Sequence, residues 1–424
     1  MSRICLFNSI VNSISSLIHS QAFLDSHRFP NRFVRKRILS LFHVVFYLLY
    51  STKQNMFSNI DRMLKVDKAL FPEVSKQAIS KARQGIKPTL FQELYKTTVD
   101  LFFQSGISAA LWKGLYHIYA IDGSKIELPS SASNMEKFGE LFSKANPSRR
   151  WSQALISILY DVTNDFIVHG LIRPFLSSER TAAMDHCISI NSLGLFGSNS
   201  IIIFDRGYYS EDMFRFFSSL GLFCVMRLKE NINLSKSCSG DISTKLLASG
   251  GYPETAIRVI AVDLGNGATE YLATNIFDNT LSTLDFKELY FLRWGCELKY
   301  YELKTQLLLE EFNGATSISI EQEFYINLMY SNLASIIKKD ADDKISQNAN
   351  PENKHNYQAN RAYIIGQLKD SFAPFVAFGS GKKAIERIFR NACKCKSQIQ
   401  PGRQSTRKRV RNDRTHFKNR KTAV

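Results

Sequence analysis

The 424 residues carry 44% hydrophobic and 22% charged side chains, a balance that buries a large core and excludes a disordered or fibrous chain. The 55 Lys and Arg against 38 Asp and Glu leave a formal charge of +17, which points to a polyanion, and to nucleic acid before a membrane surface. The 7 cysteines are scattered with no two pairs at zinc spacing, so a disulfide scaffold and a zinc ribbon are excluded and reduced thiols of a cytoplasmic protein fit.

Residues 1 to about 112 read as mostly helical, with apolar side chains at helical spacing in Ile10, Ile14, Leu17 and Ile18, and again in Leu90, Leu94 and Leu101. The longest apolar run, residues 38–50, is too short to span a bilayer and carries His43, so it is expected as a buried helix of an N-terminal bundle. Ser75 can cap a short helix carrying Lys76, Lys81 and Arg83; Gly85 can end it and Pro88 can open the next. Such an element suits the recognition helix of a helix-turn-helix or an ordinary basic surface helix about equally.

From Tyr116 the period shortens to two. A strand is expected from 117 to about 122, ending before a turn at Gly123. Residues 151–161 and 166–172 predict two more strands joined by a turn, so that the first three strands can form a meander. A helix is expected over 181–193. Residues 200–205 (SIIIFD) are an apolar strand with an aspartate at its carboxyl end, as in a buried sheet. A helix and a strand at 223–228 follow. Two strand-like runs, 255–263 and 269–275, flank a Gly-Asn-Gly hairpin signal at 265–267. Helix then resumes to about 339. After a polar stretch to about 360, a basic tail begins near Arg387, fit for a phosphate-binding arm or a disordered solubilising end.

The stretch 290–304 (YFLRWGCELKYYELK) is predicted as one helix, with Ser282 and Asp285 as a capping pair upstream. Tyr290, Arg293, Glu297 and Lys304 then share an arc of roughly 60° at 100° per residue. Phe291, Trp294 and Leu298 wall this polar stripe on one flank, and Leu292, Cys296 and Leu303 on the other. Taken alone, the pattern also fits a solvated face with modest ion pairs. Between apolar walls it suits a carboxylate and cations lining a cleft over an anion. Trp294 is placed either to stack on a displaced base or to sit in the core.

Asp122 and Asp205 each end a predicted strand before a glycine-containing turn, at the sheet edge where sites form. Either alone is more commonly a turn cap. With Glu297 they would make an oxygen cage suited to Mg2+ or Mn2+. Two such ions, about 4 Å apart, activate a water or 3′-hydroxyl and stabilise the leaving oxygen of a phosphodiester.

The motifs DGS at 122–124, DRGYYS at 205–210 and Y-x2-R-x3-E-x6-K at 290–304 together resemble the DDE transposases of the insertion sequence 4 family. The resemblance spans roughly 75–305, and the basic tail beginning PGR at 401 is also similar. It implies an α/β fold: a ribonuclease-H-like mixed sheet with flanking helices, a β-rich insertion and a helical N-terminal domain. Its expected boundaries are 1–112 for a helical, DNA-binding domain, 113–229 and 282–375 for the two parts of the catalytic domain, 230–281 for the insertion and 376–424 for the basic tail. It implies DNA strand cleavage and strand transfer at the ends of an insertion sequence, often with a hairpin on the excised end. Asp122, Asp205 and Glu297 become catalytic metal ligands for Mg2+ or Mn2+, with two ions expected. Tyr290, Arg293 and Lys304 become contacts to terminal DNA phosphates, and Trp294, Arg206 and Tyr208 join the DNA-binding set. The expected partners are double-stranded DNA, both terminal inverted repeats and target, and a second copy of the chain in the DNA complex; no membrane partner is expected. A transposase-derived DNA-binding protein without activity is the alternative, and the intact motifs weigh against it. A basic peripheral membrane protein using 38–50 would leave all three motifs unexplained.

Overall fold

The computed structural model describes residues 2–399 apart from 36, 37, 108–110, 144, 145, 147, 149, 198, 266 and 380. The chain folds as two compact units: Ser108–Lys125 with Leu155–Tyr301, and the described parts of Met1–Ile107, Ile126–Ala154 and Glu302–Val424.

The first unit holds a mixed sheet. Its strands are β1 (His117–Leu128), which continues into the second unit, then β2 (Glu140–Phe142) in that second unit, then β3 (Arg150–Asp161), which runs back into the first. β4 (Phe166–Pro174), β5 (Ser200–Phe204), β6 (Phe223–Arg227), β7 (Asp241–Leu246), β8 (Thr255–Asp263) and β9 (Thr269–Thr274) follow. Across the sheet the order is β2-β3-β1-β5-β6-β9-β8-β7, with β4 also paired to β3. β1, β5 and β6 are parallel, and β9, β8 and β7 extend the sheet as antiparallel strands. The β-rich insertion therefore lengthens the same sheet. This is the expected mixed sheet with flanking helices. Continuous runs such as 201–204 are buried throughout because helices cover the parallel strands on both faces. On one face Ile118, Ile201, Ile203 and Val225 pack with Phe286, Leu289 and Tyr290 of the helix Thr283–Phe291.

The second unit is a helical bundle around the helix Ser317–Gln347, whose first two thirds are almost wholly buried. The helices Thr89–Gln104, Arg361–Phe378 and Lys382–Lys394 pack on it. The apolar run near 38–50 forms the buried helix Leu41–Tyr50, as expected of a bundle. Among the described residues no helix is long and apolar enough to cross a membrane.

Several local expectations change. β1 does not end at Asp122 but continues through Gly123 to Leu128, so Asp122 stands mid-strand. The stretch 290–304 is two helices, Thr283–Phe291 and Trp294–Thr305, with Leu292 and Arg293 in a turn between them. The common arc for Tyr290 and Glu297 therefore does not exist. The short helix Lys76–Arg83 is capped by Ser75 as expected, yet Arg83 is 1% exposed and pairs with Glu323 at 3.3 Å instead of facing solvent. The helix after 316 runs to Gln347, past its expected end near 339, with Lys338–Asp342 and Lys344–Asp340 pairs one turn apart along the extension. Arg387 and Arg390 belong to a folded amphipathic helix, so the basic tail starts later than expected; residues 400–424 lie outside the described residues.

Candidate active site

Two adjacent strands deliver the first two carboxylates. β1 and β5 run in parallel register from His117 opposite Ser200 to Ile121 opposite Phe204. Asp122 is the next residue of β1 and Asp205 the first residue after β5, so the register brings them close enough for Asp205 to raise the Asp122 carboxyl. One Asp122 oxygen accepts the Gly123 N–H at 2.9 Å. Burial pushes the Asp122 carboxyl up to about 6; Glu179 and Asp205 add to the rise, while the Gly123 N–H and Arg293 oppose it. Glu179 leans over the strand here: a Cβ at Gly123 would lie 2.9 Å from Glu179 Cδ, so a side chain at that position would push the exposed Glu179 aside.

Tyr290 closes the helix Thr283–Phe291 at the edge of the apolar core, and its hydroxyl donates to Asp205 at 3.3 Å. Arg293, in the turn that follows, is 9% exposed and donates to Glu297 at 2.9 Å. Burial works against its charge, and Tyr290, Glu297 and Asp205 together more than offset this, keeping it firmly protonated. Glu297 stands half-buried on the first turn of the helix Trp294–Thr305. One guanidinium thus faces both Asp205 and Glu297 and opposes the rise that burial imposes on Asp122.

Asp122, Asp205 and Glu297 are hard oxygen donors, which fits a divalent cation chemically. Their spacing is another matter. Among the described residues no three Asp, Glu, His or Cys groups are placed to share one ion, and Glu297 is engaged by Arg293.

A family model described as "Transposase DDE domain" matches residues 113–333, just over half of the chain. The chain belongs to this transposase family. It is also similar to "Putative transposase InsZ" of Escherichia coli (strain K12), at 23% identity over 143 residues. That match covers 33% of this chain and 44% of the relative, so the chain spans less than half the length of the curated relative it matches. A solved structure of piggyBac transposase, in a synaptic complex with hairpin DNA, aligns over 92% of this chain and 84% of that one at 14% identity, with a TM-score of 0.44.

In this transposase the motif residues have unequal surroundings. Arg206 is exposed beside Asp205. Trp294 is 47% exposed, with Phe291 at 75% and Leu298 at 60%, so this flank of the stripe faces solvent while Cys296 and Leu303 are buried. The core reading of Trp294 is thereby removed. Tyr208 goes the other way: it is 2% exposed, with its ring near Phe204, so it cannot lie on DNA in this conformation and leaves the DNA-facing set. Lys304, on the last turn of its helix and in the second unit, stands half-buried with its ammonium 4.0 Å from Glu310. Burial pulls its pKa down, against the pull of Glu310 and Glu127.

Sequence reasoning missed three neighbours. Glu179 leans on Gly123. Arg180 donates to the carbonyls of Gly207 (3.1 Å) and Tyr209 (2.9 Å), fixing the turn after Asp205. Tyr300 donates to the Asp122 carbonyl at 2.7 Å. The fragment Ser178-Glu179-Arg180 signals a helix start, but nothing in the sequence ties it to the motifs.

Proposed function

We propose that this transposase catalyses metal-dependent DNA strand cleavage and strand transfer at the ends of an insertion sequence of the insertion sequence 4 type. The observation that carries this reading is the parallel register that brings Asp122 close to Asp205, with Arg293 and Glu297 in electrostatic reach. Asp122, Asp205 and Glu297 would hold Mg2+ or Mn2+, with two ions expected. When bound, the ions activate the attacking oxygen and stabilise the leaving oxygen of the phosphodiester.

The chain's own residues supply the rest. Tyr290 orients the Asp205 carboxylate. Arg293 holds Glu297 until a phosphate or a metal ion takes over the charge, and its planar fork then suits a DNA phosphate. Trp294 offers an exposed face for an unstacked base near the cut end. Arg206 and Lys304 contribute phosphate contacts. The helical residues 1–112 would read the terminal inverted repeats, with 113–229 and 282–375 as the catalytic domain, 230–281 as its insertion and the residues from 400 onward as a basic arm. A second copy of the chain would join in the DNA complex, in the cytoplasm.

The test is direct. Purified protein is incubated with its own element's ends and Mg2+ or Mn2+, and the strands are sized. Cuts at the element boundary support the reading; DNA that is bound and stays intact with either metal favours a silent DNA-binding protein.

A further inference from the structure

Behind Asp122 lies a line of buried polar groups that the proposed chemistry leaves unexplained. Ser157 of β3 is 1% exposed, and its hydroxyl donates to the Asp122 backbone carbonyl at 3.2 Å. His186, 0% exposed on the helix Glu179–Ser192, has Nε2 3.0 Å from Ser157 Oγ. His169 of β4 brings its Nδ1 to 2.9 Å from Nδ1 of His186.

The proton positions follow from counting. A hydroxyl has one proton, and Ser157 donates it to Asp122. Ser157 Oγ must then accept from His186 Nε2–H. A neutral His186 protonated at Nε2 has a bare Nδ1, which must accept from His169 Nδ1–H. Both rings are held neutral: burial pushes His169 down to about 4 and His186 well below its ordinary value. Every bond in the line therefore points toward the Asp122 carbonyl, which also accepts from Tyr300.

We propose that His169, His186 and Ser157 form a strut that positions Asp122 for catalysis, acting through its backbone carbonyl. These are positioning residues, and their role rests on Asp122 being a catalytic carboxylate. Polar groups one shell behind a metal ligand hold it within the narrow range that the chemistry tolerates.

The experiment uses the full chain. In 15N spectra of the histidine rings, the strut requires His186 protonated at Nε2 and His169 at Nδ1; the reverse assignment overturns it. In end cleavage, Ser157→Ala should lower kcat by about 10–100-fold with KM for DNA unchanged. His186→Gln, whose amide can donate to Ser157 and accept from His169, should retain most of kcat, while His186→Leu should not. Ser157→Ala at wild-type kcat, or His186→Gln as slow as His186→Leu, overturns the strut. Asp122→Asn separates the two ideas. If it is inactive while Ser157→Ala is normal, the strut alone fails. If Asp122→Asn cleaves normally, the functional reading fails and takes the strut with it.

Discussion

Arg293 holds Glu297 at 2.9 Å across one helical turn, in a pair whose side chains are only 11% and 26% exposed. An i,i+4 pair in open solvent contributes about 0.3–0.5 kcal/mol. This one is covered, and the same guanidinium also draws on Asp205 and Asp122. It is the positive charge that opposes the burial-driven rise of Asp122. Arg293→Ala should therefore lower thermal stability more at pH 8 than at pH 5. Without the cation the folded-state pKa of Asp122 rises further above its unfolded value. That penalty is fully present above the folded pKa and is relieved as pH falls. Melts across a pH series check this; an equal loss at every pH would assign Arg293 to packing alone.

Asp122 itself carries a cost in the metal-free protein. Its carboxyl titrates at about 6 in the folded chain against an ordinary 3.8. The folded-state pKa is raised, so the destabilisation grows as pH climbs from near 4 to 6 and is complete above. Asp122→Asn should then stabilise the metal-free protein at pH 7–8, by on the order of 2–3 kcal/mol, and change little at pH 4. Mn2+ should raise the melting temperature of the wild type and leave that of Asp122→Asn nearly unmoved, since only a state that binds the ion is stabilised. Denaturant titrations with and without Mn2+ measure both effects.

Trp294 is half exposed, so Trp294→Ala should cost less stability than the roughly 3–5 kcal/mol typical of removing a core tryptophan. Processing of the DNA end should nevertheless fall, and 2-aminopurine near the end should cease to report unstacking. A variant that melts far earlier would instead make the indole a structural anchor.

Residues 400–424 carry Arg403, Arg407, Lys408, Arg409, Arg411, Arg414, Lys418, Arg420 and Lys421 against Asp413. Truncation before residue 400 should flatten the dependence of DNA affinity on salt, because fewer counterions are released. It should weaken specific and nonspecific DNA alike. An unchanged salt slope would exclude the tail from binding.

What the sequence could and could not disclose follows from the range of the forces involved. Asp205 was legible because an ionisable group closing an apolar strand needs a solvent, ion or polar partner wherever the strand goes. β8 and β9 of the insertion were legible from alternation and from glycines at 265 and 267, both at positive φ, whereas β7, in a polar stretch with exposed side chains, was not. The break at Leu292–Arg293 was not either, since both are ordinary helix formers; the residues flanking it, Tyr290 and Cys296, are buried. The continuation of β1 past Gly123 was hidden because a glycine after an aspartate reads as a turn, whereas its backbone stays in the strand. Arg83 read as a surface cation because Glu323, its partner, stands 240 positions away along the chain. Ser157, His169 and His186 gave no signal at all, being single polar residues whose meaning lies in who faces them.

The central claim is that Asp122, Asp205 and Glu297 act as one metal-holding set. The most direct measurement is end cleavage by Asp122→Asn, Asp205→Asn and Glu297→Gln, with DNA affinity measured on the same preparations. Metal chemistry needs every ligand, whereas phosphate contacts supply the affinity. All three variants should bind the element's ends within a few-fold of wild type and show no cleavage with Mg2+ or Mn2+. Cleavage at the wild-type rate by any one of them would contradict the account and remove that residue from the set.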